Sequence, residues 1–292
     1  MKKEHDEHYT GFLAIQKMMH ENAPFFIGRT SGGETQFCGY ALSKTPIPQY
    51  LFQVLLLNAG IHIQSMEDVK AYIKKYDAAV RNTTILGTWD GSMYIQAKEY
   101  YDYIDRAMPT KTKIDAQSIE PYYFMDFPEY TYNQYFENKK VLIITSHSKT
   151  VEQQIANGNV NRVYKKPIFH VSTEFRVYKP AQQNAGSHDQ NSWVFHDEKM
   201  KFEIAKLKKE FDFDIALVSA GGFGMILCDF IFTKLNTSVI YVGGALQLFF
   251  GIRGKRWESS KFIQESMNDA WTNVLDIDKP ANIELCERGC YW

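Results

Sequence analysis

The sequence predicts an α/β fold, with a mainly parallel sheet flanked by helices, and three observations predict it. The runs Val141-Leu142-Ile143-Ile144, Ile215-Ala216-Leu217-Val218 and Val239-Ile240-Tyr241-Val242 are apolar throughout, as strands covered on both faces require. Each run gives way to glycine or hydroxylated residues, and then to apolar residues at helical spacing. This alternation recurs along the chain with no internal repeat and no convincing linker. The 292 residues are therefore read as one domain, 1–292, with a helical, tyrosine-rich section around 44–135.

In chain order, residues 7–21 are expected to be helical and Phe25–Gly28 to form a strand. That strand runs into Arg29-Thr30-Ser31-Gly32-Gly33-Glu34, with a helix following through Leu42. Arg29 suits a phosphate beside the glycines Gly32 and Gly33. Glu34 suits a general base, a metal ligand or an acceptor for a sugar hydroxyl. Ser31-x-x-Glu34 also has the form of a capping box, in which the carboxylate serves only backbone donors. Residues 46–58 read as an apolar helix ended by Gly60, and Ser65-x-x-Asp68 starts another, whose Met66, Val69, Ile73, Tyr76 and Val80 mark a core face. A strand at 84–86 delivers Asp90 near a sheet edge as a second acid–base candidate, although Asp90-Gly91 is equally a plain turn. The tyrosines between Tyr94 and Tyr135 are either helical packing or an aromatic lining for a sugar.

Lys140–Thr145 is the clearest buried strand. Ser146, His147 and Ser148 follow at the start of a helix, where hydroxyls and an imidazole suit an oxyanion. Residues 166–171 read as a strand and the polar run 181–192 as an exposed connection, in which His188 and His196 lack metal-ligand spacing. An amphipathic helix is expected over 197–210. Asp214–Gly224 then gives a strand, the small turn Ser219-Ala220-Gly221-Gly222-Phe223 and a helix through Leu235, an arrangement that directs free amides and the helix dipole at an anion. It lacks both the dinucleotide spacing G-x-G-x-x-G and a P-loop lysine. The strand at 238–242 ends at Gly243-Gly244. Arg253, Lys255 and Arg256 beside Trp257 read as a pyrophosphate clamp or a basic surface loop, and a helix is expected over about 259–275. In parallel sheets ligands sit at the C-terminal strand edges, where all these turns would lie.

The formal net charge of −1 argues against a general nucleic-acid binder. No apolar run reaches the roughly 18 residues of a membrane span. The start MKKEHDEHYT leads into no signal-peptide core. Cys38, Cys228, Cys286 and Cys290 are too few for a disulfide framework and lack zinc spacing, so they are expected to be reduced thiols in a cytoplasmic protein.

FFIGRTSGGE resembles the first strand–turn of GT-D-fold glycosyltransferases, where R-x-G-D-G-E carries a D-x-E motif for metal and nucleotide-sugar. VLIITSHSKTVEQQIA, DFDIALVSAGGFGMILCDFI, SVIYVGGALQLFFGIRGKRW and ERGCYW are similar to blocks of a bacterial and viral glycosyltransferase-like group, so the resemblance spans nearly the whole chain. It implies a GT-D-like, Rossmann-like fold. The implied activity is transfer of a sugar from a nucleotide-diphosphate donor to a glycan or glycoside hydroxyl, as in polysaccharide biosynthesis, in the host cytoplasm if the chain is viral. Arg29 and Glu34 match the motif, but Gly32 stands where the motif has its aspartate, and Gly243–Leu248 carries no acid where the family has acidic residues and a histidine. One carboxylate holds Mn²⁺ or Mg²⁺ poorly, so a metal-independent transferase is expected, with a non-catalytic nucleotide-sugar or phosphosugar binding protein as the alternative.

Overall fold

The computed structural model describes residues 2–89 and 95–292. Among them, seven strands build one sheet: β1 (Phe26–Arg29), β2 (Ile85–Thr88), β3 (Thr112–Asp115), β4 (Lys140–Thr145), β5 (Glu174–Tyr178), β6 (Ile215–Ser219) and β7 (Ser238–Tyr241). The order is β3-β2-β1-β7-β6-β4-β5, and every neighbouring pair is parallel. Parallel neighbours need crossovers. The helices that supply or flank them are α1 (Lys2–Met19), α2 (Gly32–Leu42), α3 (Gln49–Val54), α4 (Met66–Asn82), α5 (Ile95–Ala107), α6 (Tyr132–Tyr135), α7 (Ser148–Ala156), α8 (Trp193–Phe211), α9 (Gly224–Leu235), α10 (Leu246–Phe249) and α11 (Lys261–Ser266). The expected α/β, Rossmann-like architecture is the one observed.

Successive residues of a strand point to opposite faces, and both faces here are dry. Val141, Ile143, Ile215, Leu217 and Ile240 enter one core with Phe12, Ile15 and the aromatic residues around Tyr122–Phe136. Leu142, Ile144, Ala216, Val218 and Val239 enter the other with Phe37, Val69, Tyr72, Met200 and Leu227 from α2, α4, α8 and α9. This two-sided burial explains why the central strands read as unbroken apolar runs.

The edges differ from expectation. No strand forms at 166–171; Ile168 and Phe169 are buried in irregular chain, and the strand lies instead at β5, pairing only with β4. β3, at the opposite edge, falls inside the tyrosine-rich section, where no strand was expected. The expected helix at 259–275 is only α11, after which Thr272 forms a parallel bridge to Ile252. The apolar helix at 46–58 is α3 followed by a π-helical turn, Leu55–Ala59, which Gly60 ends at φ +75°. Of the core face expected on α4, Val69, Tyr76 and Val80 are buried whereas Met66 is exposed. His196 is buried and bonded to Asp189 (3.0 Å), not solvated. All four cysteines are free.

Candidate functional site

Strands β1, β2 and β3 step away from the centre in one direction, while β7, β6 and β4 lie on the other side. Such a reversal opens a crevice at the C-terminal strand ends, because the connections on either side leave in opposite directions. A cavity of about 460 Å³ occupies that position. Its floor is built from the turns after four strands: Ser31–Glu34 after β1, Ser146–His147 after β4, Ser219–Phe223 after β6 and Gly243–Gly244 after β7. The walls are the π-helical turn, residues 180–184 and the aromatic pair Tyr291–Trp292.

The β6 turn is held in a conformation that needs glycine. Gly221 has φ +52°, and a Cβ there would lie 2.6 Å from the Ala59 carbonyl oxygen. The Tyr241 hydroxyl donates to the Gly221 carbonyl (2.9 Å) and the Tyr72 hydroxyl to the Gly222 carbonyl (3.1 Å). Within the turn, Phe223 N–H bonds the Ala220 carbonyl and Gly224 N–H bonds the Gly221 carbonyl. The amides of Gly221 and Gly222 stand outside those bonds.

Three helices of at least two turns start at the cavity, and their N-termini are not equivalent. At α7 the Asp278 carboxylate, fully buried, accepts from the Thr150 amide (2.7 Å) and hydroxyl (2.8 Å). At α2 the first turn contains Glu34, which is buried and accepts from the Ser31 hydroxyl. The Ser31 side chain makes no bond to a backbone amide of α2, so the expected capping box is replaced by a direct serine–carboxylate contact. At α9 the first turn holds no acid and no side chain caps it. The dipoles of α2 and α7 are thus already met by protein carboxylates, and that of α9 is not.

Burial raises the pKa of Glu34; the bonds from Ser31 and its own backbone oppose this, and the charge of Glu287 adds to it. His147 is 5% exposed, and burial lowers its pKa to about 4, so its imidazole is neutral at pH 7. Glu287, also at the cavity, is paired with Arg256.

The expected cations are elsewhere. Among the described residues, no lysine or arginine lines the cavity. Arg29 is buried behind the β7 turn, paired with Glu120 at 2.9 Å, lying over Trp89, and 2.9 Å from the position a Gly243 Cβ would take. It ties β1 to Glu120, in the segment after β3, and packs against Gly243. Arg253 is exposed, Lys255 pairs with Glu284 (3.3 Å), and Arg256 lies on the Tyr291 ring at 4.6 Å. The clamp expected from these three is not assembled on the cavity. Ser148 is buried as the first residue of α7 and lies off the cavity. Asp90 lies outside the described residues. Gly32, Gly33, Glu34, Ser146, His147, Ser219, Gly221, Phe223, Gly243 and Gly244 are brought together, with Gly222 packed on Ile61 just behind.

The sugar-stacking role considered for the tyrosines of 94–135 does not hold for those among the described residues: none of them lines the cavity, and Tyr100, Tyr122 and Tyr132 are core residues stacked among aromatic neighbours, while Tyr94 lies outside the described residues. The aromatic lining comes from Tyr50, Phe223, Tyr241, Tyr291 and Trp292. The run at 181–192 is exposed over 187–191, as expected of a connection, but it also buries Gln183 and Ala185 and supplies a wall. Its polar composition was a signal of lining as much as of solvation. Gln247 was missed because nothing in its local sequence sets it apart.

The residues present do not fit a divalent cation. Glu34 is the one carboxylate of the motif position, it is engaged by Ser31, and among the described residues no three His, Cys, Asp or Glu side chains gather as ligands. Comparison with protein-family models, curated proteins and solved structures finds no match.

Proposed function

We propose that the protein is a glycosyltransferase that moves a sugar from a nucleotide-diphosphate donor to a glycan or glycoside hydroxyl without a divalent metal. The observation that carries this reading is the open N-terminus of α9. Of the three longer helices that start at the cavity, it alone has no acid in its first turn and no side-chain cap, so its dipole is unmatched by a protein carboxylate. A diphosphate seated there receives the hydrogen bonds and partial positive charge that the cavity's lining offers in place of lysine or arginine. Glu34, across the floor on β1–α2, is the base. Its burial raises its proton affinity, which brings a carboxylate toward the range where a base is effective near neutral pH.

In the transfer step the acceptor hydroxyl oxygen forms a bond to the anomeric carbon. The bond from that carbon to the diphosphate oxygen breaks, its electron pair leaving on the diphosphate, and the hydroxyl proton passes to Glu34. The α9 N-terminus then stabilises the charge that grows on the leaving group. The resemblance of FFIGRTSGGE to GT-D-fold enzymes agrees with these positions.

Binding without turnover is the second reading, favoured by the engagement of Glu34 with Ser31 and by glycine at position 32. A thermal-shift screen of UDP, GDP, CMP, dTDP and their sugars, with and without Mn²⁺, tests the proposal. At least one nucleotide-sugar is expected to raise the melting temperature equally in Mn²⁺ and in EDTA. Stabilisation by none of them would remove the reading.

A further inference from the structure

The cavity is lined in part by polar groups that the protein leaves without partners. His147, Gln182, Gln247 and Trp292 all line it. The His147 Nε2, Gln182 Nε2, Gln247 Oε1 and Trp292 Nε1 atoms are each buried with no hydrogen-bond partner among the described residues. Buried polar atoms are almost always paired, since an unpaired one bears its full desolvation cost. Four on a single cavity are not scattered packing faults.

The orientation of Gln247 is fixed by its surroundings. Its Nε2 is turned toward the carbonyls of Arg253 (3.0 Å), Ile252 (3.2 Å) and Tyr291 (3.3 Å). A flipped amide would set oxygen against three oxygens, so Oε1 is the end left over, and it only accepts. The Trp292 indole N–H only donates. Its ring is held edge-on to His147 at 6.1 Å and to Tyr291 at 5.9 Å, and Tyr291 in turn packs where a Gly244 Cβ would be. Donors and an acceptor therefore line the same cavity, and among the described residues no lysine or arginine lines it with them.

We infer that these groups bind an uncharged part of the ligand that both donates and accepts hydrogen bonds, which is the chemistry of a sugar hydroxyl array or of a nucleobase edge. A phosphate here would face the Gln247 oxygen with no compensating cation, and a cationic group would face the indole and amide N–H donors. The inference rests on the proposed function only in taking this cavity as the binding site; it does not need transfer.

The test is titration, followed by ligand-observed NMR, of the wild-type protein with two sets of neutral probes. One set is uridine, cytidine, guanosine and thymidine; the other is glucose, galactose, mannose and N-acetylglucosamine. UDP and GDP are run alongside. Trp292→Phe removes the indole N–H but keeps a ring, and Gln182→Leu removes the amide at a different point of the lining; melting curves establish that each is folded. At least one neutral probe is expected to bind, and either variant to weaken it about five- to tenfold, the worth of one hydrogen bond. Nucleosides binding alone would assign these groups to the base, and sugars alone to the transferred group. Neutral probes that bind while no nucleotide does would uphold this inference and remove the proposed function. Nucleotides that bind while no neutral probe does would overturn the inference alone, as would neutral probes bound equally by both variants. Silence from every probe would overturn it too.

Discussion

The two ends of the cavity floor handle a buried ionisable group in opposite ways. Under α2, Glu34 is a carboxylate whose pKa is raised by burial, yet it has a partner, the Ser31 hydroxyl. Under α7, His147 is an imidazole whose pKa is lowered by the same burial, and its Nε2 has none. Burial favours the neutral form in both cases. What differs is how complete each group is within the protein. Glu34 is oriented and can exchange a proton, whereas His147 is fixed in one charge state and waits for a partner.

The comparison can be broken most strongly through pH. His147 binds its proton near 6.5 when unfolded and near 4 when folded, so the unfolded state takes up the proton first as pH falls. Stability should therefore be lost from about pH 6.5 down to about pH 4, by about 3 kcal/mol from this group. Glu34 has the opposite sign: its folded pKa lies above its unfolded value, so its contribution is complete below the unfolded pKa and lost as pH rises through the folded one. Melting curves of wild type, His147→Gln and Glu34→Gln across pH 4–8 check both. His147→Gln should flatten the acid limb and Glu34→Gln should stabilise at the alkaline end. Parallel curves for all three would show that the two groups do not differ.

A smaller effect separates the α9 turn from an ordinary left-handed glycine. Gly221→Ala brings a Cβ to 2.6 Å from the Ala59 carbonyl oxygen at φ +52°, while Gly158→Ala, at φ +66°, meets nothing within 4 Å. The second should cost about 1 kcal/mol, from backbone conformation alone, and the first about 2–3 kcal/mol, because the clash adds to it. Denaturant titration measures the difference, and the first substitution should also weaken nucleotide binding. Smallest of all, Arg253→Ala and Lys255→Ala lie off the cavity and should change nucleotide affinity by less than about twofold, as exposed charges do. A tenfold loss would restore the clamp read from the sequence.

What was legible follows from how each part is buried. β4, β6 and β7 are covered on both faces and bonded on both edges, so their sequences had to be apolar and could be recognised. β3 and β5 pair on one side only, and their polar residues Lys113, Glu174 and Arg176 are exposed, so neither carries that mark. The floor of the cavity was legible for the same reason as the central strands: its glycine turns directly follow them. The walls were not, because residues 55–60, 180–184 and 291–292 meet only through the tertiary fold. The basic residues at 253–256 look like a phosphate clamp in sequence because nothing local shows that Glu284 and Glu287 already pair with two of them.

In the proposed function the α9 N-terminus seats a leaving diphosphate while Glu34 takes the acceptor's proton. Release of nucleoside diphosphate from a panel of nucleotide-sugars, with wild type and Glu34→Gln compared in EDTA, tests it most directly. Release from at least one donor is expected, and in the variant an unchanged donor affinity with turnover lowered about 100- to 10,000-fold. Donor binding with equal turnover in both proteins, or with none in either, would contradict it.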